Sequence, residues 1–185
     1  MPGSSGYESS FDDDFIDTEE KPPIQWHGGL DFGLLVLRLV LGGLFLAHGL
    51  DQIFGWFEGG GRDATLQQLE DFGYSETSIL FWVLTISQIA GGALLVLGLF
   101  TPVGAAAILG VMANVIVVQG DWSRFLGGVE LEVAYAGAAF ALLFTGPGRV
   151  AIDRNTHWFR RTPVYGFVFL LIAAGAAAVT LLVFR

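Results

Sequence analysis

The chain has 185 residues, of which 53% are hydrophobic, and it carries a formal charge of −9 without a single cysteine. Its mean hydropathy of +0.60 is typical of a membrane protein with several spans and excludes an ordinary soluble domain. The lack of cysteine excludes disulfides, thiol catalysis and cysteine-ligated metal or iron–sulfur sites, and no basic stripe indicates a nucleic-acid partner.

The N-terminal segment 1–31 is polar and strongly acidic. Eight of the 18 acidic residues lie here, against one basic residue, Lys21. Such a segment buries too little apolar surface to offset its ordering entropy, so we predict a disordered cytoplasmic tail. The alternative is that the spaced aromatic residues Tyr7, Phe11 and Phe15 dock with the acids on the basic surface of a partner protein.

The first apolar run covers 34–54 and is long enough to cross about 30 Å of hydrocarbon as a helix. It predicts a membrane span over 32–54. The residues that recur along it at a spacing of three or four are Arg38, Leu41, Phe45, His48 and Gln52. Because ionisable groups inside a membrane usually face protein or water, we expect this face to pack against the other helices. Gly43 and Ala47 form a small-residue pair that favours a close helix contact.

The rest of the chain predicts further helices joined by polar loops. A short surface helix is predicted over 63–72, and further spans over 78–99, 102–119, 129–145 and 164–184. The predicted fold is therefore all-α: a polytopic membrane protein with a four-helix transmembrane bundle plus a fifth, C-terminal transmembrane helix. We divide it into the acidic tail 1–31, the bundle 32–153, and an arginine-rich cytoplasmic loop with the fifth helix, 154–185. The arginines between 146 and 163 place that loop and the N-terminus in the cytoplasm and the C-terminus outside.

Four stretches carry a resemblance to a known family. They are RLVLGGLFLAHG (38–49), LEDFGYS (69–75), GGALLVLGLFTPVGA (91–105) and GGVELEVAYAGAAFALLFTGPGRVAID (127–153). The chain resembles, over about 35–153, the DoxX family of small bacterial and archaeal membrane proteins. The resemblance implies a four-helix bundle in the bacterial inner membrane, associated with respiratory and redox complexes such as quinol oxidase or thiosulfate:quinone oxidoreductase systems. The implied function is an accessory or structural subunit, not an enzyme by itself, whose partners are other membrane subunits and lipids.

Four polar residues within or beside the apolar runs form the candidate site: His48, Gln88, Asn114 and Glu130. We expect them to converge in the outer half of the bundle. A histidine, an acid and amides around an apolar cavity could hydrogen-bond the carbonyls of a quinone and exchange protons, as in a quinone-interacting subunit of a membrane oxidoreductase. The first alternative is interhelical hydrogen bonding that fixes the packing, worth about 0.6 kcal/mol per bond. The second is a small transporter or lipid-binding protein.

Arg38 lies near the predicted cytoplasmic end of its helix. It could anchor an anionic lipid or ligand, or it could reach the phosphate head groups or pair with Asp31 or Asp153. No identifiable motif binds a cofactor, and the three histidines have no spacing typical of a metal site. A redox centre would therefore have to come from a partner.

Overall fold

The computed structural model describes residues 28–57, 60–119, 128–152 and 162–185, and these residues form six α-helices. The helices are α1 (Gly28–Phe54), α2 (Gly61–Asp71), α3 (Thr77–Leu97), α4 (Thr101–Gln119), α5 (Glu130–Thr145) and α6 (Thr162–Val183). The ends of each helix lie within four residues of those predicted from the sequence. The acidic tail up to residue 27, Asp153 and most of the arginine-rich loop lie outside the described residues.

Four of the described helices, α1, α3, α4 and α6, are long and apolar enough to cross a membrane. We predicted α5 as the fourth of five spans, but α5 has only 16 residues and is therefore about 24 Å long. It packs between α4 and α6. The all-α membrane fold with a C-terminal spanning helix is confirmed, and five crossings stay a prediction.

Glycines bring α1 and α3 into backbone contact. A Cβ added at Gly42 would lie 2.7 Å from the carbonyl oxygen of Gly92, and one added at Gly92 would lie 2.6 Å from that of Gly42. The contact therefore needs glycine on both helices. We predicted the close contact at Gly43 and Ala47, but no described residue lies within 4 Å of a Cβ added at Gly43, so that part of the prediction was wrong.

The α1–α3 contact fixes how α1 is rotated. Gly49 packs against Ile89 of α3, and Arg38, Leu41 and Phe45 are buried on the same side. His48 is exposed, because the close approach at Gly49 turns the neighbouring position outward. The predicted buried face is thus correct from Arg38 to Phe45 and wrong at His48.

Helix α4 lies at the centre of the bundle, packed against α3, α5 and α6. A short turn makes α3 and α4 antiparallel, and the C-terminus of α6 returns to the start of α3, where Ser75 N–H donates to the Phe184 carbonyl (2.9 Å). We call the end of the bundle with α2, Gln119 and Phe184 the α2 end. The opposite end, with Arg38, Gly98 and the segment 146–152, is the Arg38 end.

Candidate functional site

A cavity of about 390 Å³ runs between α3, α4 and α6 and is covered at the α2 end by α2. Along α4 its lining extends from Val103 to Gln119, a rise of about 24 Å. It is therefore elongated and parallel to the spanning helices. Its volume is typical of a site for a small organic ligand.

Two of the four predicted site residues, Gln88 and Asn114, line this cavity. His48 does not: it is exposed on α1 and contributes to a separate, shallower hollow of about 200 Å³ with Asp51 and Phe57. Glu130 is exposed at the first residue of α5 and lines neither hollow. The expected convergence of all four residues was wrong, and the structure brings together the two amides.

Both amides have unused hydrogen-bonding capacity among the described residues. Gln88 is 6% exposed, and its Oε1 has no hydrogen-bond partner. Asn114 Nδ2 donates to the Gly110 carbonyl one turn earlier (3.0 Å), which leaves Asn114 Oδ1 buried without a partner. A buried polar atom without a partner costs free energy, and such atoms beside a cavity indicate a place where a ligand or water supplies the missing bond.

Further polar residues line the α2 end of the cavity: Gln52, Thr65, Gln68, Tyr74, Gln119 and Thr180. Sequence reasoning placed Gln119 at the outer end of its helix beside the candidate site, but it missed Thr65, Gln68, Tyr74 and Thr180. Gln52 had been identified only as part of the polar face of α1, and its Oε1 accepts from Thr85 Oγ1 on α3 (2.9 Å). The signal that could have found the others is the short helix α2, whose buried residues Thr65 and Leu69 have to face something.

Tyr74 lies between α2 and α3 and is 8% exposed. Burial raises the pKa of its phenol, and the nearby Arg185 guanidinium acts in the opposite direction. The phenol is therefore neutral at physiological pH and can donate a hydrogen bond at the α2 end of the cavity.

The Arg38 end is closed by polar contacts. Arg38 is 1% exposed, and its Nη2 donates to the Val150 carbonyl (2.7 Å). Gly98 leaves no room for a side chain against the guanidinium, since a Cβ there would overlap Arg38 Nη1. Asp31 Oδ1 accepts from the Arg149 backbone N–H (2.6 Å), so two charged residues of α1 hold the segment after α5.

Neither of the two hollows described above includes Arg38. Its Nε and Nη1 have no hydrogen-bond partner in the described part of the chain. Of the two partners considered for it, Asp153 lies outside the described residues, and Asp31 hydrogen-bonds the Arg149 backbone. Arg38 as an anchor for an anionic lipid or ligand stays a prediction.

Comparison with known proteins gives one family. Residues 33–120 match the DoxX family model. Over this range the chain is similar to DoxX family membrane proteins. The matched range contains α2, α3 and α4 whole and nearly all of α1, so it holds Gln88 and Asn114. It excludes α5 and α6, although the resemblance from sequence motifs extended to residue 153.

A curated relative is the inner membrane protein YphA of Escherichia coli (strain K12). The two are 25% identical over 139 residues, which cover 68% of this chain and 95% of YphA. No solved structure matches the chain. The C-terminal helix α6, which lies outside the family model, forms one wall of the cavity.

Proposed function

We propose that this protein is an accessory membrane subunit of a respiratory or redox complex, and that its own contribution is to hold a quinone-type molecule in the cavity between α3, α4 and α6. The observation that carries the proposal is this cavity, about 390 Å³ in volume, with Gln88 and Asn114 in its lining. Cavities that are mostly apolar with a few well-placed polar groups are the usual sites for lipid-soluble ligands.

An amide suits a molecule that alternates between an oxidised and a reduced form. The carbonyls of a quinone accept hydrogen bonds, and the hydroxyls of a quinol donate them. The terminal torsion of a glutamine is soft, so Gln88, whose Oε1 has no partner among the described residues, can present either its N–H or its carbonyl. The electrons are transferred by a redox centre of the partner subunit.

The partner is expected to contact the acidic tail. YphA is an inner membrane protein, and the same membrane with a cytoplasmic N-terminus would place residues 1–27 on the cytoplasmic side. Their charge favours a basic surface on the partner. Purification in mild detergent of the full chain and of a chain without residues 1–25 tests this part. We expect a redox protein to co-purify with the full chain, and we expect the deletion to lower the amount of that protein recovered severalfold. Isolation of the full chain as a lone monomer would contradict the accessory role.

Quinone content tests the cavity. The wild type and a Gln88→Leu/Asn114→Leu variant are purified from the same membranes, and extracted quinone is measured per mole of protein. His48→Ala is the matched control, because His48 lies outside the cavity. We expect near-stoichiometric quinone in the wild type and the control and a loss of more than about tenfold in the double variant. Equal quinone in all three would contradict the assignment of the cavity.

A further inference from the structure

The lining of the cavity changes in character along its length. Its polar side chains belong to the α2 half, from Gln88 and Asn114 outward to Gln68 and Tyr74. In the half nearer the Arg38 end the lining is apolar, for example Val103, Ala107 and Phe169. The cavity is therefore amphipathic along the direction of the membrane normal.

The polar half carries no charge. Among the described residues that line the cavity, the polar ones are amides, hydroxyls and a phenol, with no Asp, Glu, Lys or Arg. A carboxylate or phosphate buried there would find no counter-charge in the lining, because the Arg185 guanidinium that acts on Tyr74 is not among the lining residues, and such burial is costly at membrane depth. An uncharged head group would find both donors and acceptors.

The cavity opens to the side, between α3 and α6. Val83 of α3 and Ile172 of α6 both line it, and they are 53% and 57% exposed. In a membrane this side faces lipid chains, so a molecule can enter from the bilayer without crossing water.

Resting on the proposed function, we infer that the site selects single-chain amphiphiles with an uncharged head, bound with the head at the α2 end and the tail toward Val103 and Phe169. Quinones with an isoprenoid chain belong to this class, as do long-chain alcohols. Fatty acids at neutral pH and lysophospholipids do not, because their heads are charged.

Binding of a matched panel to the full chain in detergent tests the selectivity. The probes are an isoprenoid quinone, a long-chain alcohol, the fatty acid of the same chain length at pH 8, and a lysophospholipid. We expect the quinone and the alcohol to bind at least about tenfold more tightly than the two charged probes. Binding of the fatty acid as tightly as the alcohol would overturn the inference and leave the proposed function standing, whereas no binding by the quinone would overturn both.

Two substitutions test the direction of the bound molecule. Gln68→Lys adds a cation at the α2 end, and we expect it to tighten fatty-acid binding at least fivefold, because the carboxylate gains a counter-charge. Val103→Phe narrows the cavity toward the Arg38 end. We expect it to weaken the binding of long-chain alcohols severalfold, while short-chain alcohols bind as tightly as to the wild type. Unchanged binding of all chain lengths in Val103→Phe, in a protein with the wild-type unfolding midpoint, would contradict the direction.

The chain's lack of cysteine makes the entrance directly testable. A bulky maleimide on Ile172→Cys should slow quinone association severalfold, whereas the same label on Leu39→Cys, exposed on α1, should not. Equal association rates for both labelled proteins would contradict entry between α3 and α6.

Discussion

The two ends of the bundle bury polar side chains in opposite ways. At the Arg38 end, Arg38 and Asp31 bind backbone groups of the segment 146–152, and Gly98 packs directly on the guanidinium. In the half of the bundle toward the α2 end, Gln88 and Asn114 keep amide oxygens that have no partner among the described residues, beside a cavity. Charge and tight packing therefore mark the end that holds the fold together, while uncharged polarity and free volume mark the end that we assign to a ligand.

Arg38→Ala should have the largest effect on stability. It leaves a cavity at a site that is 1% exposed and removes the donor to Val150, so we expect a loss of about 3 kcal/mol in the free energy of unfolding. The midpoint of SDS-induced unfolding measures it. Arg38→Met keeps most of the volume and removes a buried charge, so it should lose only about 1 kcal/mol. If Met is as destabilising as Ala, the packing role is contradicted.

Asp31→Ala should rank second. It removes a carboxylate that accepts from the Arg149 backbone N–H, and hydrogen bonds to charged groups are worth about 1.5–3 kcal/mol. We expect the same unfolding assay to give a loss of about 2 kcal/mol. Asp63→Ala, at an exposed position of α2, is the control and should stay within about 0.5 kcal/mol of the wild type.

Gln88→Leu should leave stability nearly unchanged and weaken quinone binding. It removes an amide oxygen that has no partner in the described structure, so the free energy of unfolding of the ligand-free protein should change by no more than about 0.6 kcal/mol. Bound quinone should nevertheless fall about tenfold. A large loss of stability in the ligand-free protein would mean that Gln88 is a packing residue.

Tyr74→Phe should have the smallest effect, and only at high pH. Burial raises the pKa of Tyr74 above its ordinary value of 10.0, so the folded state retains the proton that the unfolded state loses. Stability from this group is complete below pH 10.0 and falls as the pH rises from there toward the higher folded-state pKa. Unfolding midpoints measured between pH 8 and pH 11 should therefore fall more steeply with pH in the wild type than in Tyr74→Phe. An equal fall in both proteins would contradict a contribution of the buried Tyr74 phenol to this pH dependence.

The apolar runs were sufficient to place the five longer helices, since membrane spans and their short turns depend on hydrophobic length and on Gly and Pro positions. The spacing of Leu66, Leu69 and Phe72 placed α2. The apolar runs also identified Gln88 and Asn114, because an amide is conspicuous in an apolar helix. They could not place His48, since the rotation of α1 is set by the contact of Gly42 with Gly92. Sequence reasoning also predicted α2 without the cavity that it covers, because the spacing of its apolar residues does not show which helices they pack against.

The difference between the two ends is tested most directly by the stabilisation that a short-chain quinone gives on binding. Ligand at 100 times its Kd raises the free energy of unfolding by about 2.7 kcal/mol. At this quinone concentration we expect an increase of this size in the wild type and in Arg38→Met, and only about 1.4 kcal/mol in Gln88→Leu, whose Kd is about tenfold higher. No stabilisation of the wild type, or equal stabilisation of all three proteins, would contradict the assignment of the α2 end as a ligand site.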